Sequence, residues 1–435
     1  MTSQARLSLT ALFITSSIIW ISGNGILPLL PIYAESLGAN NFEIGLYLAF
    51  SYACLAMGAV VAAKTVHSQH SAKQIMVISG ALSIPIIFCV GQARSLYELV
   101  AFTSLIWLLG GAGFSALNSM MAKLTDHKHR GKVMGLLAIT SPIGSVIGGA
   151  FSGPIVDLWG FDALFFTLAL INMLWPVCGL MVRTDESITT IEIKTPTRVG
   201  STVYLPRVKQ QQHWNYQLIS AASLSYMSYY IALLATSLIM KDAGYSATEI
   251  SSTAIIGGLA AIPFIYGASH ASDIFGRKAF WIFSNLIGAI ALILLSVAES
   301  IVTFWIAAFM IRFLSSGSRS IGSAWIIDLC SPNRTIEPTG HRVHTETLVR
   351  YAPSINFLKN QWVSIQGTHI KSNAFSEEKA LALISATPWI GGIMGYLAYG
   401  SASLTFTASS LLITAVVIPL LSIGLVLTIK HSPFT

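Results

Sequence analysis

The chain has 435 residues, of which 54% are apolar and only 10% charged, against about 25% charged in soluble domains. So few charges cannot solvate a water-facing surface of this size, which excludes a soluble globular protein. The formal net charge of +7 invites a nucleic-acid reading, but the positions of the basic residues speak for a different cause.

A membrane-spanning helix needs roughly 20 mostly apolar residues, because the hydrocarbon core is about 30 Å thick and each residue rises about 1.5 Å. Stretches that meet this length run over 8–32, 43–63, 74–92, 97–121, 132–157 and 162–182, then 215–239, 249–269, 279–298, 301–327, 379–400 and 404–429. They predict an all-α membrane protein of twelve transmembrane helices in two pseudosymmetric six-helix bundles. The first run, from Leu7 to Leu30, exceeds a signal-peptide core and no cleavage site follows it, so it is read as a retained helix. Residues 183–213 are polar and charged and read as a cytoplasmic linker between an N-terminal bundle, 1–182, and a C-terminal bundle, 214–435.

With the N-terminus placed in the cytoplasm, the outer loops hold only Arg94 and Lys241. The inner side collects Arg6, Lys64, Lys73, Lys123, Arg183, Arg207, Arg277 and Lys278, among many others. This positive-inside bias places both termini in the cytoplasm of a plasma, or bacterial inner, membrane. It also accounts for the basic charge without nucleic acid as a partner.

The two halves repeat. Phe42-Glu43-Ile44 before the second span resembles Thr248-Glu249-Ile250 before the eighth, and Lys73 before the third matches Lys278 before the ninth. The fifth span, with Ser141-Pro142-Ile143-Gly144, resembles the eleventh, with Thr387-Pro388-Trp389-Ile390-Gly391. That last match is displaced by about 40 further residues, an atypical cytoplasmic insertion at about 331–376. It reads as a regulatory loop, or as an incidental insertion, which long loops tolerate. Its histidines, His341, His344 and His369, lack metal-site spacing, and Cys54, Cys89, Cys178 and Cys330 suggest neither a bridge nor a zinc site.

Between the eighth and ninth spans stands Asp273-Ile274-Phe275-Gly276-Arg277-Lys278. This Asp-x-Phe-Gly-Arg-Lys segment resembles the signature cytoplasmic loop of the major facilitator superfamily. The loop Asp126-His127-Lys128-His129-Arg130-Gly131 resembles the family's segment between its fourth and fifth helices. The resemblance covers nearly the whole chain outside the linker and insertion. It implies alternating access, with Asp273, Gly276, Arg277, Lys278 and Arg130 as gating residues. The corresponding first-half loop, Lys64 to Lys73, has lost the aspartate and most of the glycine-arginine pattern. The fifth span, with Pro142, Gly144, Gly148, Gly149, Gly153 and Pro154, resembles that of the drug–proton antiporter branch, although Ser145 stands where the branch has proline. Glycines four apart also serve close helix packing with no export function.

That branch carries an arginine in its fourth helix, where this chain has Trp107; the repeat counterpart of Trp107 is Arg312. A charge at mid-membrane costs on the order of 3 kcal/mol, so Arg312 is a functional candidate that binds a substrate carboxylate or phosphate, or pairs with an acidic residue of the protein. Arg319, two turns on, is expected to snorkel to the inner surface. Asn24, flanked by Gly23 and Gly25, and Tyr226, Tyr230 and Trp389 complete the substrate-binding candidates with Trp107 and Arg312. Aromatic residues near helix ends equally suit an interfacial belt.

No Asp, Glu or His falls at the middle of a span, so Glu35 and Asp157, at outer helix ends, are the coupling candidates, with plain solvation as the alternative. The chain lacks a Gly-x-x-x-x-Gly-Lys-Ser/Thr loop and any mid-membrane nucleophile–base or metal cluster, which argues against an ATPase and against a membrane enzyme. The expected function is secondary transport of a small organic molecule by a monomer without cofactor, as a proton-coupled multidrug-type exporter. The rivals are an importer or facilitator of a sugar, nucleoside or organic anion, and a receptor or sensor that binds without translocating.

Overall fold

The computed structural model describes residues 3–125, 130–183, 207–330 and 377–429. Most of the expected linker and the whole 331–376 insertion, with its three histidines, lie outside the described residues. The first half comprises α1 (Ser3–Asn24), α2 (Leu30–Ser36), α3 (Asn41–Thr65), α4 (Gln69–Gly91), α5 (Leu96–Leu124), α6 (Arg130–Asn172) and α7 (Leu174–Met181). The second comprises α8 (Arg207–Asp242), α9 (Ala247–Phe275), α10 (Arg277–Ser296), α11 (Ile301–Cys330), α12 (Glu377–Ala402), α13 (Ala408–Ala415) and α14 (Val417–Leu427).

Among the described residues, ten helices are long and apolar enough to cross a membrane. One of these stretches, Val133–Met181, holds two crossings, because α6 turns at Gly160, whose φ of +80° favours glycine. With α12 the crossings number twelve, six in each bundle. Large apolar side chains such as Leu46, Phe50, Met57 and Val61 of α3 remain exposed on its outer face, where lipid tails would cover them.

Three expected spans are not single helices, and each break falls four residues before a proline. Proline lacks an N–H, and its ring clashes with the carbonyl four residues earlier. α1 ends at Asn24, four before Pro28; α6 ends at Asn172, four before Pro176; α13 ends at Ala415, four before Pro419. The first span, expected to be continuous over 8–32, is thus corrected to α1 plus the short α2. Pro85, Pro142, Pro154, Pro263 and Pro388 sit inside unbroken helices.

The repeat has local causes. Glu43 and Glu249 both complete capping boxes, with Asn40 and Ser246 respectively, so the matching tripeptides mark two equivalent helix starts. Lys73 Nζ donates to the carbonyls of Leu180 and Val182, 2.9 and 2.7 Å away. Lys278 Nζ donates to those of Leu427 and Ile429, at 2.9 and 3.2 Å. Each lysine thereby satisfies carbonyls at the end of its own half's last helix.

On the face that carries the start of α1, each half has its own core. One packs Leu12, Met76, Met120 and Val182; the other packs Leu218, Trp281, Trp325 and Ile429. Toward the opposite face, here the far face, a single core runs through both halves, from Leu30, Tyr47 and Leu99 to Leu234, Phe304 and Leu412. The helices that bring the halves together are α6 along α9 and α3 along α12.

Candidate functional site

Between the separate cores and the shared one lies a cavity of about 170 Å³, bordered by both halves. On the same scale, an apolar cavity of about 150 Å³ takes up benzene. Asn24, Trp107, Tyr226, Tyr230, Arg312 and Trp389 all border this cavity. A smaller chamber adjoins it, and Asn24, Tyr229 and Arg312 border both.

Aromatic rings from the two halves meet at the cavity. Tyr52 of α3 lies 4.8 Å from Trp107, 4.9 Å from Tyr230 and 5.3 Å from Tyr396, measured between ring centroids. Such edge and tilted contacts suit the ring quadrupoles. The close approach of Tyr52 to α12 depends on Gly392, where a Cβ would come within 2.7 Å of the ring. Asn24, at the broken end of α1, donates to Ser141 Oγ at 3.0 Å and so has a partner on α6. These tyrosines are buried in the joined core and form no interfacial belt.

Arg312 and Arg319 both border the cavity, and so does no Asp, Glu, His or Lys among the described residues. The Arg312 guanidinium lies over the Tyr229 ring, 5.4 Å from its centroid. Gly257 of α9 leaves the space: a Cβ there would sit 3.3 Å from Arg312 Nε. Arg319 Nε donates to Tyr226 Oη at 3.5 Å, and that hydroxyl in turn donates to the Ser315 carbonyl at 3.3 Å. Arg319, expected to snorkel to the inner surface, is exposed and also borders the cavity. Seven residues are almost two full helical turns, so Arg319 shares the face of Arg312 and turns to the cavity.

The far face is tied shut by bonds between halves. Lys241 Nζ at the end of α8 pairs with Glu35 Oε1 at 2.5 Å. Asp157 of α6 accepts from the backbone N–H groups of Ala247 and Thr248, each at 2.9 Å, at the first turn of α9. The two coupling candidates therefore bridge the bundles. The glycines of α6 divide between two neighbours. Gly144 and Gly148 face α1, while Gly149 and Gly153 face α9, where a Cβ on Gly153 would come within 2.5 Å of Thr248 Cα.

At the opposite end, Gly276 joins α9 to α10 with φ +86°. Asp273, in the last turn of α9, pairs with Arg277 at the start of α10 at 2.7 Å, and Arg277 also donates to Ser272 Oγ. The Arg130 side chain lies outside the described residues. Cys54, Cys89 and Cys178 are free thiols, and the Cys330 side chain lies outside the described residues.

Sequence reading missed Tyr52 and Tyr229 as cavity residues. Tyr229 was legible only as one of three tyrosines on a helix, and Tyr52 carried no signal, since its role depends on a glycine of the other half.

A family model described as Major Facilitator Superfamily matches residues 12–212 and 218–339. Multidrug resistance protein MdtG of Proteus mirabilis (strain HI4320) is 27% identical over 150 residues, 34% of this chain and 37% of that protein. Its namesake in Yersinia enterocolitica is 26% identical over 150 residues, 34% of this chain and 36% of that protein. These matches span little more than a third of the relatives' length. Among solved structures, the nucleoside transporter NupG superposes with a TM-score of 0.69 at 11% identity, covering 99% of this chain and 100% of that one. At that identity the likeness is one of fold.

Proposed function

This chain belongs to the major facilitator superfamily, whose members are carriers rather than enzymes, and from that premise we propose that it exports a small amphipathic organic molecule by proton-coupled alternating access. The observation that carries this reading is a cavity bordered by both halves beneath a far face tied shut between them. Such a site is exposed to one side at a time. The multidrug relatives support the export direction and a bacterial inner membrane. The lysine and arginine bias supports cytoplasmic termini, so the far face is external and the cavity is loaded from the cytoplasm. The carrier works as a monomer.

Substrate contacts come from Asn24, Trp107, Tyr226, Tyr230, Arg312 and Trp389. Glu35 and Asp157 carry the coupling: an external proton on either carboxylate weakens its bond across the far face and favours opening outward. Asp273, Gly276, Arg277 and Lys278, with Arg130, form the latch on the cytoplasmic side. A facilitator of a sugar, nucleoside or organic anion is the second reading, favoured by a cavity lining without a carboxylate or histidine among the described residues.

Efflux from proteoliposomes under an imposed pH gradient separates these readings, with a panel of dyes and labelled organic anions as probes. Gradient-driven efflux that Glu35→Gln uncouples fits the exporter. Downhill flux indifferent to the gradient would replace it with the facilitator. Binding without any flux would replace both with a receptor.

A further inference from the structure

We propose that the substrate is an organic anion, its negative group taken by Arg312 and Arg319 and its apolar body seated among Tyr52, Trp107, Tyr230 and Trp389. The inference rests on the transport reading above for its word "substrate", and on the cavity alone for its charge.

Three observations carry it. First, two guanidiniums border one cavity with no acidic residue beside them among the described residues. Second, the Arg312 side chain has no hydrogen bond or ion pair among the described residues: its contact is the face of Tyr229, which leaves the N–H donors of its fork for a ligand. Arg319 is held at Nε by Tyr226, which leaves the rest of its fork. Third, Gly257 makes room for the Arg312 side chain beside α9, and that side chain borders both chambers.

Unpaired charge within a membrane span is costly and is retained where a ligand or water-filled path needs it. A cationic ligand about 5 Å from either guanidinium would lose affinity on the order of 100-fold at an effective dielectric constant near 20. An anion gains by the same rule. The two arginines stand roughly 10 Å apart along α11, from seven residues at the helical rise. That spacing belongs to the backbone; the long side chains share one helix face and one cavity, so both can be offered to the same negative group.

The test uses three probes of one shape: labelled 1-naphthoate, 1-naphthylmethylammonium and 1-naphthylmethanol. Each is offered to the purified full-length protein in nanodiscs of neutral lipid, then of lipid with an anionic headgroup. The expected result is saturable naphthoate binding that the ammonium does not displace and the alcohol displaces weakly. Arg312→Gln should weaken it by about 10- to 100-fold, the worth of a charged hydrogen bond, and Arg312→Lys by less. The binding should hold between about pH 5.5 and about pH 8.5, where the carboxylic acid of the probe stays ionised. Suppression by anionic lipid would overturn the assignment to a soluble anion in favour of a headgroup phosphate.

Equal or tighter binding of the ammonium, binding of none of the three, or naphthoate binding untouched by Arg312→Gln would overturn the proposal. Probe selectivity needs no variant, so a misfolded mutant leaves it decidable. Naphthoate binding without flux would sink the transport reading alone. Flux of the cation without the anion would sink only the present inference.

Discussion

Asp157→Ala removes a carboxylate that accepts two backbone N–H groups at the first turn of α9, from across the interface between halves. Hydrogen bonds to a charged group are worth about 1.5–3 kcal/mol each when dry, and a negative charge at a helix start adds about 0.3–1. Asp157 and Thr248 are exposed, so solvent screens both, and about 1–2 kcal/mol in total is the reasonable expectation. These contacts exist only while the far face is closed. The whole loss therefore falls on the closed state and shifts its balance with the open one by roughly 5- to 30-fold. Spin labels at Tyr97→Cys and Leu404→Cys report it, since Tyr97 at the far-face start of α5 and Leu404 in the turn after α12 belong to opposite halves and are 86% and 67% exposed. The four native cysteines are replaced by alanine in that background. Double electron–electron resonance should show a longer-distance population growing beside the short one, and Asp157→Asn, which keeps one neutral acceptor, should fall between. A distance distribution unchanged by Asp157→Ala would refute the reasoning, as would a larger effect from asparagine than from alanine.

Glu35→Gln should shift the same distribution by less, about 2- to 5-fold, because the Glu35–Lys241 pair is partly exposed. The exchange Glu35→Lys with Lys241→Glu should restore it, and additive single effects in that cycle would argue against a direct pair. Gly153→Leu should hold the far face open and abolish flux, because the side chain would occupy the space of Thr248 and Ala247; wild-type flux would refute that. Gly276→Ala should lower the thermal midpoint of unfolding, since alanine at φ +86° costs about 1–2 kcal/mol. An unchanged midpoint would mean the turn relaxes freely. Gly257→Leu should crowd the Arg312 guanidinium and weaken 1-naphthoate binding at least tenfold, and binding at wild-type affinity would show that this space is unused.

What the chain alone determined is what depends on local composition. Twelve apolar stretches dictate twelve crossings, because no other arrangement satisfies their backbone in lipid. The repeat of Glu43 and Glu249 was readable because each belongs to a cap closed within four residues. The breaks at Pro28, Pro176 and Pro419 were equally local, yet composition could not separate them from Pro85 or Pro142, which lie inside intact helices. Whether a proline breaks a helix depends on what neighbouring helices offer the freed carbonyl. Relations between halves were decided only by tertiary structure. Glu35 and Asp157 read as coupling candidates or solvated helix ends, and only the packing of α6 against α9, and of α2 against α8, turns them into bridges. Arg319 could be placed two turns from Arg312, but whether that face met lipid or a cavity was set by helices hundreds of residues away. A sequence states the periodicity of a helix; only its neighbours determine which face is inside.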